Sequence, residues 1–153
     1  MFLASERSHH RESKIRSLTT RDPSIGLVLA AVNFEWTVSR AVLFISVTPN
    51  KALREKMAQY YSPDSYKRLW REEVCRNISG SPPLPRLIRH WPKVLDGFHA
   101  RNVLVHGKDR YTAKMANPHI NALLDAARDI DSYCESIGKP LYGRMPVRKK
   151  AAV

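Results

Sequence analysis

The segment from Ile25 to Val47 is the longest apolar stretch of the chain, and it is interrupted by Asn33, Glu35, Ser39 and Arg40. Those interruptions decide its use. A helix crossing a bilayer strongly resists charges near its centre, whereas a helix buried among other helices can set them against partners. Asp22-Pro23 offers an N-cap acid followed by proline at the first helical position. Pro49 closes the segment, so a helix is expected from Pro23 to about Thr48. Leu27, Val28, Ala31, Val32, Trp36, Leu43, Phe44 and Val47 cover most of its circumference, which makes it the element the rest of the chain must surround.

No run alternates with period two over a strand's length, so the fold class is all-α. Asn50 opens a second helix carrying Leu53, Met57, Tyr60 and Tyr61. Ser62-Pro63 ends it and starts a third, with Tyr66, Leu69, Trp70, Val74 and Ile78 on one side. The Pro-rich run Ser81 to Pro85 marks a loop. A helical stripe then resumes through Leu87, Trp91, Val94, Phe98 and Val105, with Pro92 kinking or dividing it. After a polar loop, Asn117-Pro118 repeats the cap-plus-proline signal and opens the last helix, which Gly138 and Pro140 end. Four or five helices around one core is the economical architecture. Residues 1–22 are expected to form a polar arm or short helix, residues 23–138 the helical domain, and residues 139–153 a basic tail, disordered until it meets a phosphate backbone.

Charge narrows the partner. Twenty-six Lys and Arg against fourteen Asp and Glu give a formal charge of +12. That excess points to a polyanion, nucleic acid before membrane, without indicating any sequence preference. An apolar share of 43% and a charged share of 26% fit neither a disordered tail nor a membrane protein. The opening MFLASERSHH lacks the apolar run of a secretory signal, so a cytoplasmic location is expected. Cys75 and Cys134 then read as reduced core thiols. His9-His10 has no further ligand at a usable spacing, and no carboxylate cluster suits a two-metal site, so neither metal nor cofactor is expected.

The informative segment is Arg101-Asn102-Val103-Leu104-Val105-His106-Gly107. Arginine, a polar residue, an apolar triplet, histidine and glycine at the end of an apolar helix resemble the R-x(4–6)-H signature of the HEPN superfamily. The similarity of order and class spans roughly residues 24 to 137, while the motif match is confined to these seven residues. The resemblance implies a small helical ribonuclease that works as a two-fold homodimer, with Arg101, Asn102 and His106 in a composite site. It also implies a polar residue on an early helix beside the motif, a place Glu35 and Asn33 can fill. Small proteins of this kind often act as toxins or defence effectors, for which an antitoxin or regulatory protein would be a further partner.

The residue types suit that chemistry independently of the family. Asn102 and His106 lie one helical turn apart and share a face. Arg101 and His106 point about 140° apart on an ideal helix, so one copy does not set both on a single phosphate. RNA can be cut by attack of its own 2′-hydroxyl on the adjacent phosphorus. A histidine can take that proton or supply one to the leaving oxygen, and an arginine fork suits the charge developing on phosphate. Lys108, Arg110, Tyr111 and Lys114 in the following loop, and Arg148, Lys149 and Lys150 in the tail, are the expected RNA contacts. Other accounts use the same residues. Arg101 can be a surface residue and His106 a C-terminal cap followed by Gly107. Glu35 can be an ion-pair partner of Arg40 or Arg101. The chain can also be a non-catalytic helical module binding RNA or protein.

Overall fold

The central apolar segment forms a helix running from Pro23 to Ile45, with Asp22 Oδ1 accepting from the Ile25 amide at 3.1 Å. The structure is a computed structural model and describes residues 7–107, 110–142 and 144–149. Its elements are α1 (Ser8–Thr19), α2 (Pro23–Ile45), α3 (Asn50–Met57), α4 (Pro63–Trp70), α5 (Leu84–Leu87), α6 (Trp91–Val105) and α7 (Ala113–Ser136). No strand occurs among the described residues. One π-helical turn, Arg71–Cys75, follows α4.

α2 is long and apolar enough to cross a membrane, yet most of it is covered by α1, α6 and α7. Leu27, Ala30, Ala31, Phe34, Val38, Ala41 and Val42 have no exposed surface. Phe34 meets Phe98 of α6 at 5.6 Å and Tyr66 of α4 at 6.4 Å, an aromatic trio that ties three helices together. Gly97 lets α6 approach α7 closely, because a Cβ there would stand 3.1 Å from Leu123 side-chain carbons. Gly26 does the same for α1: a Cβ would fall 2.2 Å from Thr19 Oγ1.

The end of α2 departs from the sequence expectation of Thr48. The helix stops at Ile45, and Ser46 and Thr48 donate to the buried Glu73 of the π-helical turn, at 2.6 and 2.9 Å. Lys56 of α3 completes the carboxylate's shell at 2.6 Å. Burial pushes the Glu73 carboxyl up, but these donors and the Lys56 charge outweigh it, and the net displacement is downward. Pro92 divides the expected long helix into α5 and α6 rather than kinking it.

Of the two forms expected before Pro23, a polar arm or a short helix, the described residues form the helix α1, and it is held in place. Ile15 is fully buried, and Arg11 is 1% exposed, stacked over the Trp36 ring at 3.9 Å. Arg11 donates to Asn33 Oδ1 at 2.8 Å and to the Tyr142 hydroxyl at 2.9 Å. The described part of the tail is packed, not disordered. Leu141 is fully buried, and Tyr142 and Met145 lie against the core. Arg148 donates to the carbonyls of Leu43 at 2.6 Å and Thr48 at 3.0 Å, closing the C-terminal end of α2. Asn50 clasps the same strap through Pro146 and Arg148.

The last helix begins earlier than Asn117-Pro118 suggests. Thr112 caps α7 by accepting from the Met115 amide at 3.3 Å, and Pro118 lies inside the helix. The early start buries Ala116 completely, and such packing can outweigh the helical hydrogen bond a proline removes.

Candidate active site

Arg101, Asn102 and His106 occupy the last turn and the C-cap of α6. The His106 amide donates to the Asn102 carbonyl at 3.1 Å, and the Gly107 amide to Leu104 at 2.9 Å. Gly107 ends the helix at φ +65, a conformation that costs glycine little. The cap leaves the His106 side chain exposed, as is that of Asn102.

Arg101 points the other way. Its side chain is half-buried, with Nη1 donating to Asn102 Oδ1 at 3.0 Å. Its Nε is buried and makes no hydrogen bond to a described residue. Across the gap stands Glu35 of α2, whose carboxylate also accepts a hydrogen bond from the buried Tyr66 hydroxyl of α4. Burial raises the Glu35 carboxyl, the Arg101 charge and the Tyr66 hydroxyl lower it, and the balance lies above the usual carboxylate range. Burial, the Glu35 charge and the shared hydrogen bond all push the Tyr66 hydroxyl up, so it stays a donor.

Glu35 is therefore set beside Arg101 and not beside Arg40, which donates to the Leu141 carbonyl at 2.5 Å and lies over the Trp36 and Phe44 rings. Asn33 does not join the motif. Two residues along a helix place it about 200° around the axis from Glu35, and there it is buried against Arg11. Tyr66 gave no sequence signal beyond its place on the apolar stripe of α4.

The sign of the Glu35 displacement makes a prediction. A carboxyl raised in the folded state binds more protons there than in the unfolded chain. Stability therefore falls as pH climbs from the ordinary carboxylate value through the raised one. Tyr66→Phe removes the donor, pushes Glu35 up further, and is expected to cost about 1–3 kcal/mol at neutral pH. Carboxyl-region NMR titration and urea melts at two pH values check both parts.

The expected RNA contacts divide. Arg110 is exposed, and Lys114 is exposed in the first turn of α7. Tyr111 is half-buried against the core and meets His119 edge-on at 6.1 Å. Arg148 is engaged in closing α2, which takes its guanidinium from a phosphate role. Lys149 is exposed, and Lys108 and Lys150 lie outside the described residues. No group of three or more His, Cys, Asp or Glu among the described residues is arranged to hold a metal. Cys134 is buried, with its thiol pushed up to about 12 by burial and by Asp131 and Glu135, so it is held protonated at neutral pH. Cys75 is half-buried, packs on the core and directs its sulfur to the Pro82 carbonyl.

Next to the motif lies an apolar concavity of about 360 Å³, left open by the described residues and lined by Ser24, Ile25, Val28, Leu29, Leu104 and Val105. Ile25 is 49% exposed and Val105 57%. The chain matches no protein-family model, no curated protein and no solved structure.

Proposed function

We propose that the protein is a metal-independent endoribonuclease with a HEPN-like helical bundle, acting as a two-fold dimer. The observation that carries this reading is the end of α6. An exposed histidine and a half-buried arginine diverge there at the border of an apolar surface that no described residue covers. A second copy seated on Ile25, Val28, Leu29, Leu104 and Val105 would bury that surface and bring a second Arg101 and His106 to the same cleft. His106 is the acid–base group, removing the 2′-hydroxyl proton or protonating the leaving 5′-oxygen. Arg101, held by Glu35, binds the phosphate oxygens as charge builds on them. Asn102 positions Arg101 through its bond to Nη1.

The test is chemical. Cleavage of RNA is expected to proceed in excess EDTA and to leave a 2′,3′-cyclic phosphate or the 3′-phosphate it hydrolyses to. A 2′-deoxy residue at the cut site is expected to block it. Cleavage that stops in EDTA, or that tolerates the deoxy substrate, defeats the mechanism. Ile25→Asp is expected to convert a dimer to a monomer by light scattering and to lower cleavage in parallel. A chain that is monomeric before substitution removes the composite site. A chain that binds RNA but never cuts it is a binding module.

A further inference from the structure

We infer that the groove between α6 and α7 is a track for the backbone of an RNA strand, leading to the motif end of α6. The inference rests on the RNA reading above and adds the surface that holds the substrate. The groove encloses about 740 Å³ and is lined by His90, Lys93 and Asp96 on one wall and by Lys114, Asn117, His119, Asn121 and Asp125 on the other.

Three features select a polyanionic strand. First, Lys93 and Lys114 are exposed and neither makes an ion pair with a described residue. Of the two acids, Asp125 is matched by Arg128 at 3.0 Å, which leaves Asp96 as the opposing charge.

Second, the lysines stand at opposite ends. Gly97 lies against Leu123, and Arg89 bonds Asp129, so α6 and α7 run antiparallel. Counting back from the Gly97–Leu123 contact, Lys114 stands level with the C-terminal end of α6. Lys93 is then about 20 Å away along the axis, a span for several nucleotides of an extended strand.

Third, two side-chain amides line the interval, although Asn121 Oδ1 already accepts from Arg16 at 2.9 Å. Asn117 and Asn121 stand between this groove and a smaller hollow of about 210 Å³ that carries Arg16, Thr19 and Thr20. Cations spaced along a walled groove with neutral hydrogen-bonding groups between them match evenly spaced phosphates and riboses, as in other single-strand channels.

The experiment measures binding of a fluorescent single-stranded RNA to the full chain carrying His106→Ala, so that binding is read without cleavage. Adding Lys93→Gln and Lys114→Gln is expected to weaken binding at least tenfold, and two lost phosphate contacts should flatten the dependence of log K on log salt by about 1.4. The same two-charge change on α3, Lys51→Gln with Arg54→Gln, is expected to leave affinity within about twofold. Equal losses from the two pairs, an unchanged salt slope, or no RNA binding at all overturn the track. The readouts separate the two proposals. If RNA is cut but the groove pair does not matter, the track falls and the catalytic reading stands. If the groove pair governs binding and no RNA is cut by the unsubstituted chain, the track stands and the catalytic reading falls.

Discussion

His106→Ala and Arg101→Ala are each expected to reduce RNA cleavage by about 10²–10⁴-fold while leaving helix content and dimerisation nearly unchanged. The size follows from what each removes: a positioned proton-transfer group in one case, a charged donor set against developing phosphate charge in the other. Structure should tolerate both, for different reasons. The His106 imidazole is exposed, and the cap it sits in is made by backbone and by Gly107. Arg101 is half-buried against Glu35, so its loss also lifts the Glu35 carboxyl further. Arg101→Lys keeps the charge but loses the planar fork, and is expected to recover little activity. Asn102→Ala should be milder, since it removes one bond to the arginine. A single-turnover assay at saturating RNA reads these effects as chemistry. Wild-type rates from either alanine variant would take that residue out of the mechanism.

The largest stability effect is expected at Arg11. Arg11→Ala strips a guanidinium from a site that is 1% exposed, leaving Asn33 Oδ1 and the Tyr142 hydroxyl without their donor. It also removes the positive charge that faces Asp131. Burial raises the Asp131 carboxyl, a Ser8 hydrogen bond lowers it, Glu135 raises it and Arg11 lowers it, and the net is upward even with Arg11 present. Breaking a buried charge cluster by removing one partner typically costs about 3–5 kcal/mol, a large part of a domain's total of about 5–15 kcal/mol. Urea unfolding should show the loss as a lower midpoint. A change below about 1 kcal/mol would mean that α1 contributes little to the fold. Arg11→Met tests whether stem packing over Trp36 suffices, and an intermediate loss is expected.

Much of the helical layout was legible because its signals are local. Asp22-Pro23 and Ser62-Pro63 cap the helices they were expected to cap. What escaped depends on contacts across the chain. Thr112 caps α7 five residues before the more obvious Asn117-Pro118, because burying Ala116 rewards the extension. The tail carries too few apolar residues to show a period, yet Leu141 is buried and Arg148 reaches the Thr48 and Leu43 carbonyls, 100 and 105 residues upstream. At the site, the arginine–asparagine–histidine spacing could be read directly, and Glu35 stood out as an acid in an apolar helix. Tyr66 could not, since only the crossing of α2, α4 and α6 brings its hydroxyl to Glu35. Asn33 was separable from Glu35 by helical angle alone.

The bond between Arg11 and Tyr142 spans 131 residues, and that between Ser8 and Asp131 spans 123. Such separations set an order of events during synthesis. The ribosome delivers α1 and α2 first, but the largest surface that covers α2 belongs to α7. The apolar circumference of α2 therefore waits, exposed, through translation of most of the chain, and contacts this distant in sequence close slowly. The nascent chain is a natural client for a holding chaperone during that interval, and fragments ending before α7 should be recovered from cells in aggregates.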